Sequence, residues 1–318
     1  MKMRFATLAL LVVILALVSS TFAQDATLRY KWIKGDEARY RISQLSNITM
    51  SGLPGIGEMT METNMIQVVR MTVDDVAADG GVTLRQTFES VRIEQNSPIG
   101  KTVFDSTAKD PAADPTLAAI MSTMVGESVV MVLAPSGAVL KVDGMSRILE
   151  KMTGALPQSP VTAPLVNQLK ASLSDDAMRS VTEQGFAIFP NHPVKVGETW
   201  TSQFQMNNPI LGRLNSERSS TLKGIENSNG ASVAHIAVTL AMKQGADSVP
   251  PGILGVSAKM GDSETQGEIL FDVAKGRVQR SSLKSETPMS ISLDAPGAGA
   301  INAKSIVRTT MVMEIVEK

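Results

Sequence analysis

His192 and His235 are the chain's only histidines, and cysteine is absent. Nucleophilic or acid–base chemistry would have to be assembled from few parts. A Ser-His-Asp arrangement around either imidazole has no G-x-S-x-G turn to present its serine. Ser106-Thr107-Ala108-Lys109 and Ser281-Ser282-Leu283-Lys284 match S-x-x-K, the spacing at which a lysine can activate a serine. Neither is accompanied by an S-D-N or K-T-G partner. The acid pairs Asp74-Asp75 and Asp175-Asp176 fall at a turn approach and a helix start, where carboxylates are ordinary. Gly52-Leu53-Pro54-Gly55-Ile56-Gly57 lacks the Lys-Ser/Thr that completes a phosphate-binding loop. The expectation is a non-enzymatic protein with no catalytic residue and no cofactor. A hydrolase built on His192 or His235 ranks third among the readings.

Methionine is the remaining chemically distinctive residue type. Met59, Met61 and Met65 would project from one face of a strand, as would Met311 and Met313, because strand side chains alternate with period two. Soft thioethers in an oxidising compartment can hold copper(I). Without histidine or cysteine beside them, methionines on a strand face read as core, and no metal site is assigned.

The elements that would position such residues begin after a targeting segment. Met1-Lys2-Met3-Arg4 is basic, Phe5 to Val18 is apolar apart from Thr7, and Thr21 and Ala23 stand at the −3 and −1 positions of a small-residue cleavage site. The run is short of the roughly 20 apolar residues of a membrane-spanning helix. Residues 1–23 therefore read as a signal peptide, the alternative being an uncleaved N-terminal anchor, and the mature chain is expected in the periplasm or outside the cell. Without Lys2 and Arg4, 28 basic residues face 31 acidic ones, a net charge of −3. That balance excludes a polyphosphate footprint, and no nucleic-acid partner is expected. The lack of cysteine rules out disulfides and lipid attachment through a cysteine, so stability must come from core burial. No transmembrane segment is expected after cleavage.

Most of the mature chain reads as short alternating strands joined by tight turns. Residues 28–33 and 38–42 suggest a hairpin around Lys34-Gly35-Asp36, residues 65–73 and 82–93 one around Gly80-Gly81, and residues 129–133 and 139–142 one around Pro135-Ser136-Gly137. The order recurs later: Val194 to Trp200 with Gly197, then 220–225 and 232–240 around Asn229-Gly230, then 268–273 and 277–283 around Lys275-Gly276. Residues 305–316 read as a last strand. Between the halves, Met145, Ile148, Leu149 and Met152 have helical spacing, Pro157, Pro160 and Pro164 mark a linker, and 165–172 and the stretch after Ser174 read as helices. The expected fold class is α+β, mostly antiparallel β: two repeated β-meanders forming a curved sheet or open barrel, with short helices inserted between the halves. The expected division is 24–144, a helical insert over 145–187, and 188–318, the halves packing as one unit.

Three predicted connections are apolar where loops are normally polar: one carries Leu53 and Ile56, one Ile210 and Leu211, and one Ile253 and Leu254. Burying one such side chain is worth about 1.5–3 kcal/mol, so each should cover core or meet an apolar ligand or partner.

The tract Phe189-Pro190-Asn191-His192-Pro193-Val194-Lys195-Val196-Gly197-Glu198-Thr199-Trp200, with the earlier Lys34-Gly35-Asp36-Glu37-Ala38-Arg39-Tyr40, resembles a family of secreted bacterial proteins known as a domain of unknown function. In that family a Pro-Val-x-Val-Gly-x-x-Trp strand opens the second half. The resemblance implies no activity. Physically, Pro193 fixes the entry, Gly35 and Gly197 make turns, and Trp200 anchors a strand in the core. The leading expectation is an exported β-rich protein that binds a lipid or other apolar molecule at the rim formed by Leu53, Ile56, Ile210, Leu211, Ile253 and Leu254. The second is a scaffolding envelope protein with a filled core.

Overall fold

The computed structural model describes residues 25–53, 55, 57–109, 114–156, 159, 163–186, 189–208, 211–228, 231–245, 256–295 and 299–316. The expected signal peptide and Ile56, Ile210, Ile253 and Leu254 lie outside the described residues.

Alternating sequence becomes long strands. The first run comprises β1 (Glu37–Ser51), β2 (Met59–Val76), β3 (Val82–Ser97), β4 (Gly100–Asp105), β5 (Ser128–Leu133) and β6 (Val139–Asp143). The second comprises β7 (Thr199–Asn208), β8 (Gly212–Ser228), β9 (Ala231–Gln244), β10 (Val256–Met260), β11 (Ser263–Asp272), β12 (Arg277–Ala295) and β13 (Gly299–Val316). All belong to one antiparallel sheet in the order β6-β5-β3-β2-β1-β13-β12-β11-β9-β8-β7, with β4 beside β3 and β10 beside β12. The β2–β3 hairpin sits between β1 and β5, and the β8–β9 hairpin between β7 and β11. The sheet does not close on itself, and β6 and β7 are its two edges.

Four helices are described. Helix α1 (Pro115–Ser122) starts with proline and is capped by Asp114, whose side chain accepts the N–H groups of Thr116 and Leu117. Helices α2 (Met145–Gly154), α3 (Ala163–Ser172) and α4 (Asp175–Phe186) follow β6. The 3–4 spacing of Met145, Ile148, Leu149 and Met152 puts all four on the buried side of α2. The Ser174 hydroxyl caps α4 by accepting the Ala177 N–H. Helix α4 touches both β6 and β7, so a helix spans the gap that the sheet leaves open.

One face of the sheet meets the helices and forms the core. Val69, Leu84, Phe88, Met131 and Leu133 pack with Ile148 and Met152 at the β6 side, while Leu28, Val194, Leu222, Ile236 and Phe271 make a second cluster at the β7 side. The opposite face carries ion pairs: Arg39–Glu89, Arg92–Asp105, Arg280–Glu314 and Arg308–Glu286.

The hairpin expected over residues 28–42 does not form. Gly35 makes its turn with φ +88°, but both sides of β1 are occupied, by β2 and β13. Residues 25–33 instead run extended into the second cluster, fixed by a two-hydrogen-bond bridge between Ala26 and Val194 and by the Lys31 N–H to the Gly276 carbonyl. Gly197 also turns with φ +89°. Trp200 follows on β7, half-buried against the second cluster.

Candidate functional site

The register assembles the strand-borne methionines on the inner, helix-bearing face. Met50 of β1 lies opposite Met59 of β2 and Ser305 of β13; Ser305 lies opposite Met289 of β12, and Met289 opposite Met260 of β10. A second row runs from Met65 through Gln44 to Met311, and Met61 stands opposite Ile48. Met59, Met61 and Met65 do share a face, and Met311 and Met313 join it from β13. Met50, Met59, Met61, Met65 and Met289 are all half-buried, in contrast to Met131, Met145 and Met152 in the helix-covered core.

Small polar groups are interspersed on this face. The Gln67 and Gln95 amides donate to the thioethers of Met65 and Met61 at 3.3 and 3.0 Å, and the Ser46 and Thr309 hydroxyls bond at 3.2 Å. The surface is thus apolar in its thioether rows and supplied with hydroxyls and amides between them.

The described strand ends that flank the three apolar connections share one end of the sheet. Antiparallel pairing places the end of β1, the start of β2, the β7–β8 turn and the end of β9 together, on the side of the Met50–Met59 pair. Leu53 is half-buried there. Leu211 is buried in a local cluster with Leu214, Ala258 and Met260. It is held by its N–H to Asn208 Oδ1 at 2.9 Å and by the Gln244 amide donating to its carbonyl.

At the opposite end an aromatic cluster fills the space between the sheet edges. Tyr30 stacks on Trp32 with ring centroids 5.2 Å apart and meets Phe186, Phe189 and Phe271; Phe189 contacts Phe271 at 4.4 Å. Burial raises the Tyr30 phenol far above its ordinary pKa, with the Tyr40 side chain adding to the shift. A cavity of about 240 Å³ lies between these rings and the β5–β6 turn at Pro135-Ser136-Gly137. This cluster gathers five of the chain's twelve aromatic residues, and nothing in their sequence spacing announces that they meet.

The residues singled out for chemistry are dispersed. His192 is exposed and bonds Glu198 Oε1 at 2.9 Å; His235, on the outer face of β9, sits between Glu268 at 2.9 Å and Glu226 at 3.4 Å. Ser281 points to the inner face and Lys284 to the outer, since three residues along a strand reverses the side. Ser106 is engaged by the Val91 N–H at 2.9 Å. Asp74 pairs with Arg85, Asp75 with Lys34, and Asp175 caps a helix.

The outward ion pairs bear on membrane chemistry. A barrel that crosses a bilayer turns an apolar band to the lipid and polar residues to its lumen, whereas here the charges point outward and the methionines inward. Among the described residues no helix is long and apolar enough to cross a membrane.

No curated protein matches the chain. In structure it is similar to DynF from the dynemicin biosynthesis pathway of Micromonospora chersina, with 8% identity over 92% of this chain and 85% of that one and a TM-score of 0.19. A loop-deletion mutant of OmpT, an outer membrane protein of Vibrio cholerae, aligns with 8% identity over 88% of this chain and 100% of that one, TM-score 0.25. A LolA superfamily protein from Nitrosomonas europaea aligns with 7% identity over 92% of this chain and 90% of that one, TM-score 0.12. Overlaps this low carry no argument. Residues 79–278, well over half of the chain, match the model of DUF6263, a family of unknown function, and the protein belongs to that family.

Proposed function

We propose that the protein is exported to the cell envelope and, without catalysing a reaction, holds a lipid or other apolar molecule on the inner face of its sheet. The observation that carries this reading is the half-burial of the methionine rows. A filled core would bury Met50, Met59, Met61, Met65 and Met289 as completely as Met131 is buried, and an idle surface would not be thioether-rich. Methionine is flexible and polarizable, so such a surface adapts to ligands of varied shape. The apolar connections with Leu53, Ile56, Ile210, Leu211, Ile253 and Leu254 serve as its rim, and the basic, apolar, small-residue start of the chain supports export.

The two halves, 24–144 and 188–318, are read as copies of one meander that pack into a single unit, with 145–187 as the insert that lids the inner face. The equivalent flanking of the β2–β3 and β8–β9 hairpins supports this reading.

The test is titration of a fluorescent fatty acid into the mature protein and into a Met50→Asp, Met61→Asp double variant, with folding checked by circular dichroism. Saturable binding to wild type that drops at least tenfold in the variant is expected. No saturable binding, or equal binding by both, leaves the scaffold reading in its place.

A further inference from the structure

Arg218 stands on β8 opposite Leu240 and Ser202 and faces inward with 6% of its surface exposed. One guanidinium nitrogen, Nη2, donates to the Gln184 carbonyl near the end of α4, and the guanidinium carbon lies 4.6 Å from the centroid of the Phe204 ring. Both contacts are favourable: a cation suits a helix C-terminus and an aromatic face. Of the five N–H donors of an arginine, the Gln184 carbonyl takes one, and among the described residues no other side chain or carbonyl accepts from Arg218. Among the described residues no carboxylate lies within ion-pairing distance of Arg218. A buried cation without a counter-charge carries an uncompensated desolvation penalty. Burial lowers the Arg218 pKa to about 10.

Two further polar groups beside it are buried and unpaired. Ser216 precedes Arg218 by two residues on the same face, is 4% exposed, and its Oγ has no partner. It lies opposite Phe204, the ring over which the guanidinium sits. The Gln184 side-chain Nε2, from the residue whose carbonyl Arg218 engages, is likewise buried and unpaired. Arg218, Ser216 beside it on β8, and Gln184, whose carbonyl Arg218 engages, thus each carry donor capacity that this carbonyl does not satisfy.

We infer that Arg218, Ser216 and Gln184 Nε2 receive the carboxylate head group of an amphipathic acid, whose hydrocarbon chain follows the inner face toward the rim. This rests on the apolar-ligand reading above. A carboxylate offers only acceptors, about four lone-pair sites on two oxygens, and matches the guanidinium fork in two parallel bonds. One formal cation with two neutral donors fits a monoanion better than a phosphate dianion. The position also fits. Ser216 lies opposite Met242, and Leu214, with its neighbours Met206 and Gln244, is four residues along β8 from Arg218. At about 3.3 Å per residue, roughly 13 Å of apolar-lined strand separate the donors from the Leu211 cluster. Binding requires α4 to yield at Gln184, which the acid would compensate by replacing the carbonyl as acceptor.

The experiment compares hexadecanoic acid with hexadecan-1-ol, chains equal in length and different in head group, by displacement of a fluorescent lipid from wild type and from Arg218→Met. Wild type should prefer the acid at least tenfold, and Arg218→Met should lose that preference while keeping the alcohol affinity. If wild type binds acid and alcohol equally, or if Arg218→Met keeps the preference, the head-group site is wrong, Arg218 is a cap for α4, and the apolar-ligand reading stands. If neither compound displaces the probe, both readings fall. Should Arg218→Met not fold, Ser216→Ala provides the same readout, with a loss of acid preference of about threefold expected and an unchanged preference overturning the assignment.

Discussion

The Asp175 carboxylate, in the first turn of α4, caps the start of α2 around Ser146: Oδ1 accepts the N–H groups of Met145 and Ser146 at 3.0 and 3.3 Å, and Oδ2 accepts the Ser146 hydroxyl at 2.6 Å. Helix α2 needs this help, because its own N-cap position is Gly144, with φ +106° and no side chain to offer. A residue from the start of one helix thereby ties two helices together across 29 positions of sequence. Asp175→Ala should cost about 1–2 kcal/mol, the range of a lost N-cap. Urea denaturation should show a lower midpoint with an unchanged slope. An Asp175→Ala midpoint equal to wild type would mean that the cap contributes nothing.

Acid should loosen the same helix. The Lys151 ammonium, bonded to Glu127, holds the Glu127 carboxyl below its ordinary range, with Arg147 assisting. Asp105 is lowered too, first by the Thr107 hydroxyl and N–H and then by Arg92. Groups whose pKa is depressed by folding stabilise the folded state when ionised. That contribution is complete above their unfolded values of about 4 and is lost as the pH falls through the lower folded values. Glu127 joins the start of β5 to Arg147 and Lys151 of α2. Amide hydrogen exchange of α2, corrected for intrinsic rates, should therefore accelerate as the pH falls below about 4, and Glu127→Gln should show the faster exchange already at neutral pH. Identical pH dependence in the two proteins would remove Glu127 from the account.

The glycine turns separate strain from crowding. A Cβ at Gly197 would meet nothing within 4 Å, so Gly197→Ala should cost the backbone penalty of its positive φ, about 1–2 kcal/mol. At Gly276, φ +61°, a Cβ would stand 2.4 Å from the Lys31 backbone nitrogen. Gly276→Ala must displace residues 25–33 as well, and its melting temperature should fall clearly further than that of Gly197→Ala. Trp200→Ala should cost about 1.5–3 kcal/mol, the worth of a half-buried rather than enclosed ring. Equal melting temperatures for the two glycine variants would contradict the contact at Lys31.

Local pattern carries most of the fold. The alternation in Met65–Val73 and Val82–Ile93, the turns at Gly80 and Gly137, and the spacing of Met145, Ile148 and Met152 are all found where period and turn chemistry put them. Non-local facts were not legible. Residues 28–33 have a good strand pattern, yet β1 has no free edge to offer them. The β7–β8 hairpin is legible only in part, because the inward positions Ser216, Arg218 and Ser220 are polar and break the alternation around Phe204 and Leu214. Arg218 gives no signal for the same reason, since an arginine in the run Ser216-Glu217-Arg218-Ser219 reads as solvated until the helix that buries it is in place.

The aromatic cluster gives the strongest stability prediction. Tyr30 belongs to the extended N-terminal segment, Phe186 to the end of α4, and Phe271 to β11, so their contacts join three parts of the chain that strand pairing does not connect. Phe271 is fully buried and touches both Tyr30 and Phe189. Truncating a buried phenylalanine costs about 3–5 kcal/mol through lost transfer energy and the cavity left behind. Phe271→Ala should lose that amount in equilibrium unfolding. Tyr30→Ala should lose somewhat less, and the double variant should lose less than the sum, because the two rings share one contact. The double-mutant cycle decides the matter. A coupling within about 0.3 kcal/mol of zero, the value for independent sites, would mean that the N-terminal segment merely lies against the sheet; a coupling of about 0.5–1.5 kcal/mol, the worth of an aromatic pair, makes Tyr30 the strut that holds residues 25–33 across the gap between β6 and β7.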